Sequence, residues 1–411
     1  MNTIKASNRT IIWILGALAT VTPFAIDMYL PAFAQIAEDF GSTTAIVSLS
    51  VSSYFIGMAL GQILYGPLLD RYGRKRPLYV GLVVFIIASV GCMQSHDVNT
   101  LVVFRFFQAI GGSVAWVGAL AMVRDFFPVE ESARIFSLLV LILGVSPLLA
   151  PTFGGFIIAT FGWQSIFIIL SVLVILLLIV VFFYLPEGHQ PDPTISLRAK
   201  PMIETFIGIL KNSQFSTYTF AGAFSFATLF IYVAGSPIIF MEIYDVSPKV
   251  YGGIFALLSV GFIGSSQLNI VVTRKYPSDK IFRVALFCQV IAGIIFLAGV
   301  WTNLLGLYGT IAMFFVCLSC IGFINPNANA LALAPFTRTI GSASALMGCT
   351  QIGIAALSSF GVGLFNSTNA VPIVILMLTT SSIALLILIF GLKRIGKEII
   401  VASASAENAA H

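Results

Sequence analysis

Two ionisable side chains, Asp27 and Arg105, stand where lipid would surround them. Each lies inside a long, mainly apolar run, where an isolated charge is costly and a carboxylate is by default a candidate proton site. Asp27 sits about 16 residues into its run, or ~24 Å at 1.5 Å per residue. Arg105 sits about 5 residues into a run going the opposite way, ~8 Å from the far face. In a hydrocarbon core of ~30 Å the two share nearly one depth, in the outer third, and can partly compensate each other. An acid in an apolar cavity prefers its neutral form, whereas a neighbouring guanidinium favours the carboxylate. The balance therefore changes as a cavity opens to one side or the other. Arg keeps its proton, which leaves Asp27 as the titrating member. A fixed structural ion pair is the plainer alternative. The three His residues do not compete, since His96 and His189 fall in loops and His411 ends the chain.

A second constellation is the stretch Gly66-Pro67-Leu68-Leu69-Asp70-Arg71-Tyr72-Gly73-Arg74-Lys75-Arg76-Pro77, with five charges in seven residues. Apolar helices on both sides cannot carry these charges through lipid, so the stretch must turn at a membrane surface. Four of its charges are basic, which places that surface on the cytoplasmic side.

The elements around these residues are set by composition. The chain is 58% apolar and 9% charged, with a mean hydropathy of +1.02. Soluble domains carry about 25% charged residues. Spans of about 20 apolar residues recur roughly a dozen times. They are expected at 11–34, 44–69, 78–95, 100–124, 135–160, 163–185, 216–240, 249–273, 280–301, 304–334, 340–366 and 370–392. The net charge of +5 follows the same layout. Of the 21 Lys and Arg, all but outward-facing Lys249 and buried Arg105 fall on the cytoplasmic side of a twelve-span chain with both termini inside. The surplus charge thus reports topology, and no nucleic-acid partner is expected. Lys5 and Arg9 precede the first span without a small-residue cleavage pattern, so it reads as a retained helix. Cys317 and Cys320 form a CxxC inside an apolar run without nearby His, which suits buried thiols better than a metal or redox site. Neither metal nor cofactor is expected.

Pro186 to Ser213 is the one long internal polar segment, with Pro186, Pro191, Pro193 and Pro201. The expected organisation is an all-α integral membrane protein. A six-helix bundle spans 1–185, a cytoplasmic linker 186–215, a second six-helix bundle 216–400 and a disordered tail 401–411. Shifting the chain by 203 residues lays Gly61 on Gly264 and Arg71 on Arg274, but Asp70 on Thr273 and Gly73 on Tyr276, a weak repeat. The second half carries no charge within an expected span.

The turn after Gly66 resembles the signature loop between helices 2 and 3 of the major facilitator superfamily. Ala25-Ile26-Asp27-Met28-Tyr29-Leu30-Pro31 and Arg105-Phe106-Phe107-Gln108-Ala109-Ile110-Gly111 are similar to helices 1 and 4 of its bicyclomycin and chloramphenicol resistance branch, among the drug:proton antiporters. So are Asn325-Pro326-Asn327-Ala328-Asn329-Ala330-Leu331-Ala332-Leu333-Ala334-Pro335 and Gly341-Ser342-Ala343-Ser344-Ala345, in helices 10 and 11. Gly144-Val145-Ser146-Pro147-Leu148-Leu149-Ala150-Pro151-Thr152-Phe153-Gly154-Gly155 resembles the antiporter motif of helix 5, with Ala150 replacing its usual Gly before Pro. There Pro147 and Pro151 remove backbone donors, while Gly154 and Gly155 permit close approach. The resemblance implies twelve helices in two bundles, with Asp27 as proton and coupling residue and Arg105 as its partner. It also implies an inner gate of Gly66, Asp70, Arg71, Gly73 and Arg74. In that gate Arg74 pairs with Asp125, and Asp70 lies near the N-terminus of helix 11.

Substrate contacts are expected from Tyr29, Tyr54, Trp116 and Phe230 and from the amides Gln108, Asn327 and Gln351, because buried amides need partners. A mostly apolar cavity with one acid and one Arg suits amphipathic, neutral or weakly charged molecules. The implied function is a proton-coupled multidrug efflux antiporter of the bacterial inner membrane, a monomer exporting phenicol- or bicyclomycin-like antibiotics and so conferring resistance. A proton-linked exporter or symporter of a native metabolite or siderophore is the nearest alternative. A polytopic membrane enzyme would need a catalytic group at a membrane face, and neither HExxH nor GxSxG occurs. An ATP-driven pump would need GxxxxGK[ST], which is also missing.

Overall fold

The computed structural model describes residues 7–127, 129–188, 191–192, 199–336, 340–364 and 369–395, with part of the side chains in 124–148 also outside the description. The expected tail 401–411 lies outside these residues.

Long, mainly apolar runs leave the backbone to satisfy itself, and among the described residues the regular structure is helical. In the first half α1 spans Asn8–Asp27, α2 Phe33–Asp39, α3 Thr44–Tyr72, α4 Lys75–Met93, α5 Val98–Phe126, α6 Val129–Phe161 and α7 Gln164–Tyr184. After α8 (Ala199–Leu210) come α9 Ser213–Pro237, α10 Pro248–Val272, α11 Ser278–Trp301, α12 Gly306–Leu333, α13 Ile340–Leu364 and α14 Val371–Ile395. Among the described residues, eleven helices are long and apolar enough to cross a membrane. One of them joins α1 to α2, and another carries α9 on to Ile243. α6, 33 residues long, stands where the remaining span was expected, and its stretch Leu149–Phe161 is a shorter apolar helix.

Side chains cap several starts. The Ser7 hydroxyl accepts from the Thr10 amide at 3.3 Å, Thr43 from Ile46 at 3.3 Å, and Asp97 from Thr100 at 2.9 Å. Each satisfies one of the four amides a helix start leaves free. Packing is tight where glycines fall. A Cβ on Gly57 would run into the Phe106 carbonyl, and one on Gly111 would lie 2.5 Å from the Phe85 nitrogen. α5 therefore lies against both α3 and α4 at near-backbone distance.

The chain forms two compact units. Unit 1 holds Met1–Leu197 together with Pro237–Ala256, and unit 2 holds Arg198–Ser236 and Leu257–His411. Two of the boundaries lie within 216–400 and one within 186–215, the segment expected to be a linker. That segment is not irregular throughout, because α8 forms within it. Pro201 lies in the first turn of α8, where its missing N–H costs nothing. Pro237–Ala256 joins unit 1 through backbone contact. A Cβ on Gly155 would meet the Pro248 carbonyl at 2.7 Å, and one on Gly252 the Pro151 carbonyl at 3.0 Å. A π-helical turn, Ile238–Ile243, extends the span of α9 and brings in Glu242, which accepts a hydrogen bond from the Thr44 hydroxyl. The span thus runs past 240, where it was expected to end, and takes in a carboxylate.

Candidate functional site

α1 ends at Asp27, just before the single 3-10 turn Leu30–Ala32, whose first turn holds Pro31. The local cause is visible in the hydrogen bonds. The Tyr29 amide turns to the Ile26 carbonyl at 3.3 Å, and the Ala25 carbonyl instead receives Arg105 Nη1 at 3.0 Å. A guanidinium thus caps a carbonyl released at the helix end, where the dipole favours a cation.

Arg105 is fully buried, and its charge is met by rings rather than by a carboxylate. Its guanidinium carbon lies 4.6 Å from the Tyr29 ring centroid, 4.3 Å from Tyr54 and 6.0 Å from Phe167. A desolvated cation–π contact of this kind stabilises by about 2 kcal/mol. Nη1 also donates to Gln108 Oε1 at 2.6 Å, and Gln108 Nε2 donates on to Ser89 Oγ at 2.7 Å. Nε and Nη2 have no hydrogen-bond partner.

The expected Asp27–Arg105 ion pair does not form. Among the described residues the ion pairs are Arg74–Asp70, Arg74–Asp125 and Arg283–Asp279. Asp27 is buried, with 6% of its surface exposed, and among the described residues its carboxylate takes part in no ion pair. Arg105 does reach α1, at the Ala25 carbonyl two residues before Asp27. The register explains the miss, because a residue two positions beyond Ala25 leaves the helix about 200° further round. On its other side Asp27 is bounded by α6. A Cβ on Gly154 would drive into the Met28 carbonyl, so the second glycine-proline motif lies directly against the end of α1. Pro151 is buried within α6, whereas the Pro147 side chain lies outside the described residues.

Four of the expected substrate residues are occupied elsewhere. Tyr29 and Tyr54 are fully buried walls of the Arg105 box, and Gln108 relays Arg105 to α4. Asn327, 1% exposed, straps α12 to α10 by donating to Asn269 Oδ1 at 2.7 Å and to the Phe323 carbonyl at 2.8 Å. Trp116 and Phe230 are half-buried, in unit 1 and unit 2 respectively. Gln351 is buried as well, at 8% exposure. Its amide nitrogen donates to Asn329 Oδ1 at 2.9 Å and more weakly to Asn325 Oδ1 at 3.4 Å, joining α13 to two half-buried amides of α12.

The charged turn is a knot. Arg74, 6% exposed, donates Nη1 to Asp70 at 2.6 Å, Nε to Asp125 Oδ2 at 2.7 Å and Nη2 to Asp125 Oδ1 at 3.3 Å. Partial burial opposes its charge, but the bonds to Asp125 and Asp70 outweigh this and hold its proton more firmly than usual. Asp70 is committed to Arg74 four residues on, and residues 337–339 ahead of α13 lie outside the described ones. Gly73 has φ +82°, which reserves the position for glycine, whereas a Cβ on Gly66 would meet nothing. Arg71 lies 5.8 Å over the Tyr72 ring. One participant was missed: Glu187 Oε1 accepts from the Arg74 and Lys75 amides at 2.5 and 3.1 Å, capping α4 from beyond α7. Its only sequence signal was a carboxylate beside Pro186, directly after a span.

Many membrane-crossing helices, a buried acid between close-packed helices and a basic surface turn define a multi-pass membrane transporter, not an enzyme. The Major Facilitator Superfamily model matches residues 15–358, and the chain belongs to that family. It is 30% identical to a bicyclomycin resistance protein homolog of Haemophilus influenzae, over 88% of this chain and 91% of that one. It is 32% identical to the uncharacterized MFS-type transporter YdgK of Bacillus subtilis, over 94% and 96%. Identity is 28% to the multidrug resistance protein MdtL of Klebsiella pneumoniae, over 89% and 94%. Among solved structures, a D-xylose–proton symporter superimposes with TM-score 0.74 over 94% of this chain and 97% of its own, at 15% identity.

Proposed function

We propose that the protein is a proton-coupled exporter of small amphipathic antibiotics, working by alternating access in a bacterial inner membrane with both termini cytoplasmic. The observation that carries this is a buried Asp27, without an ion pair among the described residues, two positions beyond the carbonyl that receives a buried guanidinium with two unused donors. A neutral Asp27 needs no counter-ion. Once deprotonated it becomes costly to leave unpaired, and Arg105 Nε and Nη2 are the donors within the same bundle that can meet it. Proton gain and loss therefore switch the end of α1 between two arrangements, and Gly154 lets α6 follow at backbone contact. A proton crossing inward supplies about 2.3 kcal/mol per 100 mV.

The amides Gln351, Asn325 and Asn329 support a neutral substrate with hydrogen-bonding groups, held by unit 2 while unit 1 handles charge. Names of relatives at about 30% identity favour bicyclomycin-like compounds. Substrate and proton exclude each other through negative coupling, and the transporter acts as a monomer.

The test is proton release from purified, reconstituted protein on addition of phenicols, bicyclomycin and unrelated drugs, with wild type beside Asp27→Asn. Substrate-triggered release that vanishes in Asp27→Asn is expected. Release that persists unchanged in that variant moves the proton site elsewhere and leaves Asp27 structural.

A further inference from the structure

Away from this site, unit 2 holds a cavity of about 570 Å³ between the start of α9 and the end of α14. That volume lies in the range of small-molecule sites, ~300–1,000 Å³. Its back wall is tight, because a Cβ on Gly391 would collide with the Thr217 side chain. Its chemistry is divided along the helix axes. At one end stand Lys211 and Arg394, both exposed and without a carboxylate partner among the described residues, and no Asp or Glu lines the cavity. The hydroxyls of Ser216 and Thr217 come next, and the walls then continue as Phe220, Leu386 and Phe390. Leu386 is 52% and Phe390 61% exposed, as befits lipid-facing side chains. On the twelve-span topology expected from the sequence α9 starts and α14 ends on the cytoplasmic side, which would put Lys211 and Arg394 at headgroup level of that leaflet.

We propose that this cavity binds one anionic glycerophospholipid of the cytoplasmic leaflet. Its phosphate lies between Lys211 and Arg394, its glycerol oxygens accept from the Thr217 hydroxyl, with Ser216 committed as donor to the Leu210 carbonyl, and an acyl chain runs along Phe220, Leu386 and Phe390. The charge complementarity carries the choice of occupant. Two cations without a carboxylate partner above an apolar groove match an anionic headgroup joined to a hydrocarbon tail: its single net negative charge answers one of them, whereas a net-neutral zwitterionic lipid answers neither.

The experiment is native mass spectrometry of the full chain, extracted from vesicles of equal phosphatidylglycerol and phosphatidylethanolamine, with one-lipid adducts counted. Wild type is expected to retain phosphatidylglycerol preferentially. Lys211→Gln/Arg394→Gln should lower that preference by roughly thirtyfold, the product of two cations near an anionic surface. The control Lys275→Gln/Lys280→Gln, on the same membrane side, should leave it unchanged, and Leu386→Ala/Phe390→Ala should shorten retention of both lipids. Equal retention of the two lipids by wild type overturns the proposal. So does an equal loss in the control pair, which would mean general surface charge. Displacement of the adduct by millimolar inorganic phosphate, independent of acyl chains, would make the occupant a free anion and overturn it as well.

Discussion

Arg74 and Arg105 are both buried arginines of unit 1, and they are neutralised in opposite ways. Arg74 spends its donors on Asp70 and Asp125, with Glu187 on its backbone amide, at the edge of the membrane. Arg105 lies among three aromatic rings, gives one nitrogen to Ala25 and Gln108, and leaves two nitrogens unused. A fully paired charge has nothing to gain by moving and holds structure. A charge met by rings retains donors that a new anion can claim, so it can change partner at modest cost.

The largest effect expected from breaking this contrast is in Arg105→Met. It removes the cap of Ala25 and orphans Gln108, and drug-driven proton release should fall at least a hundredfold. Thermal unfolding should report about 2–4 kcal/mol of lost stability. If exchange survives, Arg105 is only packing. Next, Arg74→Ala should cost about 3 kcal/mol, because Asp125 loses its cation in a nearly dry place. Equilibrium unfolding would show it, while protonation of Asp27, followed by infrared carboxyl absorption, should stay as in wild type. Gly154→Val should push α6 off Met28, slow exchange about tenfold and destabilise by about 1–3 kcal/mol. Gln351→Ala should raise the half-saturating drug concentration several-fold and leave proton affinity alone, which separates the neutral amides from the charged pair.

The smallest effect concerns Asp97, the cap of α5. Hydrogen bonds from the Thr100 hydroxyl and amide hold its carboxyl below the usual range. Its contribution is therefore complete above the ordinary Asp value and is lost as pH falls through the lower, folded value. Melting temperatures of wild type should show this acid-side decline, and Asp97→Asn should lack it.

The fold was legible because its cause is local. Long runs of apolar residues are enough to dictate membrane-crossing helices, and eleven of them form among the described residues. Partners were less legible. Whether Arg105 meets Asp27 or Ala25 depends on where α1 ends, and that end depends on one amide choosing Ile26. Gln108 and Asn327 read as substrate amides because burial demands a partner, yet the demand is satisfied inside the bundles, by Ser89 and Asn269. Glu187 closes on α4 across more than a hundred residues. No periodicity reports such a contact. α8 was hidden by a proline that reads as a breaker but stands in a first turn.

The bond from Arg105 to Ala25 has a mechanical consequence. That carbonyl lies four residues before the Tyr29 amide, the spacing of an α-helical bond, and the amide now bonds three residues back. Withdrawing the guanidinium vacates the acceptor and allows this turn to relax from tight to regular pitch. The same side chain rests on the Tyr29 ring, so ring and backbone are released together. If Asp27 is the proton site proposed above, its protonation would be converted in this way into the length of a helix, and the exchange rate of a single amide hydrogen, that of Tyr29, would be its gauge.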